Sequence, residues 1–276
     1  MKLQYLGTAA AESFPGMFCS CPVCQRARAA GGRNIRSRSQ ALVDDRLLID
    51  FPADTNWHVQ QHGLSLGDIR HCLITHAHSD HLYPADLEMR CDGATATATG
   101  TLTLYTGPAA AEQIRRTIAC SDLGKQNRAA VQLLYPYQPV TIDRYTVTPL
   151  PARHDPYATP YIYLISDGDK TLFYAHDTGI LCDEVWAWLA QYRQHIDFVS
   201  LDCTGMQKHG WTATHLSLDT CTAFIERLRQ AGVADDTTAV CLSHFSHNGE
   251  AIHDEFVPIA AAAGFDVAYD GKIVEI

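Results

Sequence analysis

The feature that most constrains this chain is the stretch THAHSDHL, which brings His76, His78, Asp80 and His81 into one short segment. It follows IRHCLI, a β-branched, apolar run that reads as a buried strand. Three imidazoles and a carboxylate at the end of a buried strand cost folding energy unless they coordinate something. The i, i+2 spacing puts His76 and His78 on one side of an extended turn. Asp80 and His81 follow on the next turn, where they can face a second ion. Imidazole and carboxylate donors suit Zn, Mn, Fe or Co, and donor type alone does not choose among these metals. A solvated His-rich loop is the bland alternative, and the density of the pattern weighs against it.

Around this stretch the chain alternates between strand and helix signals. MKLQYLG reads as a strand, and ALVDDRLLIDF as two short strands around the Asp44-Asp45 turn. DTNWHVQQHG has helical character with a Gly stop. LTLYTG reads as a strand and AAAEQIRRTIA as a helix. VTIDRYTVTPLPARH and YIYLISDGDKTLFYAHDTG each read as paired strands. CDEVWAWLAQYRQ and SLDTCTAFIERLRQAG read as helices, with the strand DFVSLDC between them. TAVCLSHF is a strand, EAIHDEFVPIAAAAG a helix, and FDVAYDGKIVEI a terminal hairpin with an Asp-Gly turn. Paired strands come first, helices then interleave with single strands, and the pattern occurs roughly twice. This predicts two mixed sheets packed together with helices outside, as one domain over residues 1–276. The Ala/Thr/Gly-rich MRCDGATATATG reads as a lid, within a pocket-shaping segment over residues 89–134.

These motifs resemble the metallo-β-lactamase-fold hydrolase superfamily along nearly the whole chain. The resemblance implies an α/β fold, a four-layer αββα sandwich of two mixed β-sheets flanked by helices. It also implies a centre for two divalent ions, Zn, Mn or Fe. His76, His78 and His154 (in LPARHDP) would hold the first ion. Asp80, His81 and His244 (in LSHFSH) would hold the second, and Asp177 (in YAHDTG) would bridge them. Asp80 is also expected to orient the nucleophile. His215, in THLSLDT near a helix N-terminus, resembles the His-x-Ser motif of the phosphodiesterase branch and would act at the scissile phosphate. His176 points to the face opposite Asp177 and reads as structural. His71 reads as a sheet-edge residue, and His58 and His62, four apart, as a solvated helix face.

FCSCPVC places Cys19, Cys21 and Cys24 at C-x-C-x2-C spacing. A redox pair is crowded by the third cysteine, and a disulfide would leave one thiol over. Three thiolates plus a histidine make a closed zinc set. With the run-up GTAAAESFPGMFCSC and the closing HFSH, this arrangement resembles the phosphonate-pathway phosphodiesterases that hydrolyse cyclic ribose phosphates. The resemblance implies that Cys19, Cys21, Cys24 and His247 hold one structural Zn that pins the loop bearing His244. The remaining seven cysteines are scattered and read as small hydrophobes in a reducing compartment.

The formal charge of −10 argues against salt-sensitive binding to a long nucleic acid. MKLQYLGTAA is too short and too polar for a secretory signal, and no apolar run suggests a membrane span, so a cytoplasmic protein is expected. The basic stretch Arg26, Arg28, Arg33, Arg36 and Arg38 reads as a solvated loop, slightly favoured over a phosphate contact. The expected function is a dinuclear metal-dependent phosphodiesterase acting on a small phosphodiester, with a cyclic ribose phosphate or a cyclic nucleotide as candidates. Alternatives are an RNA-processing nuclease of the tRNA 3′-endonuclease type, a carboxylic-ester, lactone or thioester hydrolase, and a non-catalytic zinc scaffold. The acidic charge weighs against the nuclease, and the intact ligand set against the scaffold. A homodimer is compatible with this reading.

Overall fold

Alternation decides which way each strand faces. In Thr171–Ala175, Leu172 and Tyr174 join the apolar cluster between two sheets, whereas Phe173 and Ala175 join a second cluster beneath helices. The computed structural model describes residues 1–95 and 100–276 and builds the chain around this rule. The first sheet begins with β1 (Lys2–Gly7), β2 (Gln40–Val43), β3 (Leu47–Ile49), β4 (His71–Leu73), β5 (Leu102–Thr106) and β6 (Ala129–Leu133), hydrogen-bonded in that order. The second contains β7 (Val140–Ile142), β8 (Tyr145–Pro151), β9 (Tyr161–Ser166), β10 (Thr171–Ala175), β11 (Phe198–Asp202), β12 (Ala239–Ser243) and β13 (Asp266–Val267), also in sequential order. The last strand, β14 (Ile273–Glu275), returns to the first sheet beside β1.

Tyr5, Ile49, Tyr163, Tyr174 and Phe198 fill the space between the sheets. Helices α1 (Pro22–Ala30), α4 (Asp183–Leu189), α5 (Leu218–Gln230) and α6 (His253–Ala262) contribute Val23, Trp186, Phe224 and Phe256 to the cluster on the outer face of the second sheet. Helix α3 (Pro108–Cys120) contributes Ala110 and Ile114 to the cluster outside the first sheet, and α2 (Thr55–His62) lies against β1. The architecture is therefore two seven-stranded mixed sheets flanked by helices. No helix among the described residues is long and apolar enough to cross a membrane.

Several expectations need correction. The terminal segment is not a hairpin: β13 pairs parallel with β12 and β14 antiparallel with β1, so the Asp270-Gly271 turn passes between sheets. Each half found a free sheet edge, and Asp270 is held at the crossing by Thr8 Oγ1 and Ser37 N, both at 2.6 Å. Within the segment 89–134, β5 and α3 stand where the sequence placed a strand and a helix, and β6 adds the edge strand of the first sheet. Of the expected lid MRCDGATATATG, residues 96–99 lie outside the described residues.

His71 is not on a sheet edge. Strand β4 lies between β3 and β5, and His71 Nδ1 meets Tyr105 Oη at 3.0 Å. His58 is not solvated. It is fully buried, with Nδ1 2.6 Å from Gln40 Oε1 and Nε2 2.7 Å from Ser37 Oγ. Burial pushes its imidazole down to about 3. His62 turns back onto the Leu6 carbonyl at 3.1 Å. The basic stretch is also committed to the fold. Arg26 pairs with Glu255, Arg28 donates to the Cys19 and Gly16 carbonyls, and Arg33 stacks on Tyr269. Arg38 lies 3.6 Å from Asp54, and Arg36 is buried against Thr8, the Ala268 carbonyl and His253.

Candidate metal centre

Strand ends position the site. Strand β4 runs into Thr75–His81, β8 into His154, β10 into Asp177, β11 into Asp202, and β12 into His244. Each of these residues follows the carboxyl end of its strand, where α/β sheets place ligand-binding groups. Asp50, Asp177 and His244 have φ of +68°, +50° and +63°, left-handed conformations that non-glycine residues adopt at a cost. This cost falls on three residues that converge on one centre.

His76, His78 and His154 bring one ligand atom each to within 4.8 Å of the others, and Asp80, His81, Asp177 and His244 do the same beside them. His78 Nδ1 and His154 Nε2 are 3.2 Å apart. Two nitrogens about 2.1 Å from one tetrahedral zinc would sit roughly 3.3 Å apart. Asp177 reaches both groups: its Oδ2 lies 3.5 Å from His76 Nε2 and 2.5 Å from His81 Nε2, and its Oδ1 3.2 Å from His244 Nε2. Asp80 Oδ2 is 3.3 Å from His81 Nε2.

The other nitrogen of each imidazole is engaged by the fold. His76 Nδ1 meets Thr75 Oγ1 at 3.1 Å, and His78 Nε2 meets Asp155 Oδ2 at 3.0 Å. His81 Nδ1 meets Asp50 Oδ2 at 2.7 Å, His154 Nδ1 the Thr214 carbonyl at 3.3 Å, and His244 Nδ1 Thr204 Oγ1 at 2.9 Å. Such partners fix the tautomer and aim the remaining nitrogen inward. The inward Nε2 atoms of His76, His81 and His244 are buried and make no hydrogen bond of acceptable geometry. Although Asp177 is close to them, it accepts a well-formed hydrogen bond from none of the three, and orphaned buried nitrogens are costly. The donor set therefore fits divalent cations. Burial holds His76 well below its ordinary value, in the neutral form a metal requires. Burial would raise the Asp177 carboxyl, but His244 and His81 outweigh it and keep it ionised.

His215 lies against this cluster, its ring centroid 4.9 Å from that of His154 and 5.7 Å from that of His244. Its Nδ1 is 3.0 Å from Asp202 Oδ2 and 3.4 Å from Asp177 Oδ1. Burial pushes this imidazole down, but Asp202, then Asp177 and Asp80, overcome it and lift it to about 9. Asp202 is fully buried and also accepts from Thr204 N, Leu216 N and Asp177 N at 3.1, 2.9 and 3.2 Å. Sequence reasoning missed Asp50, Asp155, Asp202 and Thr204. For Asp50 and Asp202 a signal was present: Asp50 directly follows, and Asp202 ends, a short apolar strand that is wholly buried. His176, by contrast, turns between the sheets to Ser39 and Ser200, as alternation implied.

Cys19, Cys21, Cys24 and His247 form a separate cluster, again with ligand atoms within 4.8 Å of one another. His247 Nδ1 lies 3.6 Å from Cys21 Sγ and 3.8 Å from Cys19 Sγ. Tetrahedral zinc with Zn–S about 2.3 Å and Zn–N about 2.05 Å would separate sulfur from nitrogen by roughly 3.6 Å. The four residues therefore fit a closed zinc site. A hydrogen bond from the Cys24 backbone N–H lowers the Cys21 thiol to about 6, while burial pushes Cys24 up to about 12. On the far side of His247, Nε2 is 3.7 Å from Glu12, which also accepts from Ser246 Oγ.

Two seven-stranded mixed sheets between helices, with a histidine and aspartate cluster at their strand ends, define a metallo-β-lactamase-fold hydrolase. The beta-lactamase superfamily domain matches residues 45–245, and the chain belongs to that family. Among solved structures it is similar to a diphosphatase from the PhnP family, with 20% identity and a TM-score of 0.76, covering 100% of this chain and 97% of that one. It is similar to Zn(2+)-bound PqqB from Methylobacterium extorquens, with 19% identity, a TM-score of 0.76 and complete coverage of both chains. It is also similar to the short form of human tRNase Z, with 16% identity and a TM-score of 0.64, covering 100% of this chain and 99% of that one. At these identities the likeness is one of fold. No curated protein sequence matches the chain.

Proposed function

We propose that the protein is a dinuclear metal-dependent phosphodiesterase acting on a small diester. The observation that carries this reading is His215, a partly exposed imidazole set against the ligand cluster and charged through a buried carboxylate, Asp202. His76, His78 and His154 would hold one divalent cation; Asp80, His81 and His244 would hold a second; Asp177 would be shared. Cations bound there supply Lewis acidity and an acidified water. The chain's own residues do the rest. Asp80, ionised at the edge of the cluster, accepts a hydrogen bond from the attacking water and orients it. His215 keeps Nδ1 on Asp202, which fixes the tautomer and leaves Nε2–H to protonate the departing oxygen. An alkoxide leaving from phosphorus needs that proton more than a thiolate leaving from a thioester does, which favours the diester over the thioester. A diphosphatase among the similar structures supports the same choice.

The test is a substrate panel of bis-p-nitrophenyl phosphate, a cyclic ribose phosphate, a lactone, a thioester and a structured RNA. It is run on metal-replete protein and on His215→Gln. Turnover of the small diesters is expected, with a loss of about 10²–10⁴-fold for the cyclic ribose phosphate in His215→Gln at unchanged metal content, and a smaller loss for bis-p-nitrophenyl phosphate, whose acidic leaving group needs the proton less. Equal diester turnover in the variant would remove the reading, as would a marked preference for the lactone or the RNA.

A further inference from the structure

Beside His215 stands an aromatic ring that the mechanism above leaves unused. The Trp211 ring centroid lies 6.5 Å from that of His215. The indole packs directly on Gly205, where an added Cβ would come within 2.9 Å of Trp211 Cδ2, so only glycine permits this seat. Its backbone is fixed at the start of α5: Trp211 N–H donates to Ser217 Oγ at 3.2 Å, and its carbonyl accepts from Thr220 Oγ1 at 2.8 Å. His215 is held by a different partner, Asp202, so the indole is placed independently of the imidazole it flanks. Trp211 is only partly buried, and its Nε1 makes no hydrogen bond among the described residues. Three residues after His154, Tyr157 stands 90% exposed on a turn capped by Asp155, the carboxylate that also holds His78. Large rings left open beside convergent polar groups are the usual lining of a ligand site.

We propose that Trp211 is a specificity-determining residue for the leaving group, and that the alcohol expelled from phosphorus carries a planar ring, such as an aryl group or a nucleobase, that stacks on the indole. This inference rests on the phosphodiesterase reading, because it takes the leaving oxygen to lie at His215. The bond changes are those of hydrolysis. A P–O bond to water forms, the P–O bond to the alcohol breaks, the alcohol oxygen takes the His215 proton, and the proton lost by water passes to solvent.

The experiment compares methyl phosphodiesters whose leaving alcohols are matched in acidity, one aryl and one fluoroalkyl. The wild type is expected to favour the aryl ester in kcat/KM by about tenfold, the size of one stacked ring. Trp211→Ala should bring the ratio near one, and Trp211→Phe should restore most of it. A ring that merely braces His215 would slow both esters equally, so an unchanged ratio in Trp211→Ala overturns the proposal. So does a wild type without aryl preference. Turnover of neither ester overturns the phosphodiesterase reading as well, whereas turnover of both at equal rates overturns this inference alone. Should Trp211→Ala not fold, inhibition of the wild type decides. The phenyl ester of methylphosphonic acid is expected to bind about tenfold tighter than the cyclohexyl ester, and equal inhibition contradicts the proposal.

Discussion

His244 and His247 are three residues apart, yet they serve clusters built on opposite plans. Around His244, ligands arrive from the ends of strands in both sheets, and each imidazole is clamped from behind by a residue of the fold. Around His247, three of the four candidate ligands come from one short segment, the loop before α1 and its first turn, and much of their support is mutual. Cys24 N–H donates to Cys21 Sγ and Cys21 N–H to Cys19 Sγ, both at 3.5 Å. The first cluster has its geometry supplied by the fold. The second supplies geometry to the fold, because an ion there would join the N-terminal loop to the turn after β12. The short span between them is doubly anchored already, since Phe245 N–H donates to the Thr8 carbonyl and Ala10 N–H to the Phe245 carbonyl.

The largest expected effect breaks this contrast at the cysteines. Cys21→Ser should lose the zinc of that cluster and lower the melting temperature by roughly 10 °C, because structural zinc contributes folding free energy directly. The histidine cluster should keep its ions. A melting curve with metal analysis checks this, and an unchanged melting temperature would show that the loop does not depend on an ion. Next in size, Asp50→Asn removes the charge behind His81 and should weaken the affinity of the histidine cluster for its cations by about 10–100-fold. Metal titration reads this loss, and the cysteine cluster should be unaffected. A smaller effect is expected of Glu12→Gln, which removes the carboxylate behind His247. Its zinc should exchange faster with a chelator by less than about tenfold, with diester turnover nearly intact. A larger effect on turnover than on zinc exchange would mean that the two clusters are coupled more tightly than the contrast allows.

The sequence pointed to the residues that gather in the two clusters because they are bunched or sit near the ends of apolar strands. His76 to His81 and Cys19 to Cys24 are short-range patterns, and alternation along β10 placed Asp177 and His176 on opposite faces. What lay behind the ligands was harder to see. Asp50 meets His81 only once β3 and β4 lie side by side, and Asp202 meets His215 only once the segment between β11 and α5 folds back on the strand's end. Arg36, in an unpatterned stretch, and His58, on a mostly polar helix, were misread because isolated polar residues look solvated. Their burial is affordable only through partners such as Thr8, His253, Gln40 and Ser37 that lie elsewhere in the chain. The terminal segment failed for a related reason. An Asp-Gly turn between two apolar runs signals a hairpin locally, but free edges on two different sheets claimed the two halves.

Metal content per chain tests the account most directly. Elemental analysis of the native protein, beside Cys21→Ser and Asp177→Ala, separates the clusters by which ions each variant loses. The account predicts about three divalent ions per chain, with about one, a zinc, lost in Cys21→Ser. In Asp177→Ala the loss should instead fall on the histidine cluster, with the cysteine-bound zinc retained. A native protein with a single ion, or a Cys21→Ser variant that keeps its full complement, would contradict it.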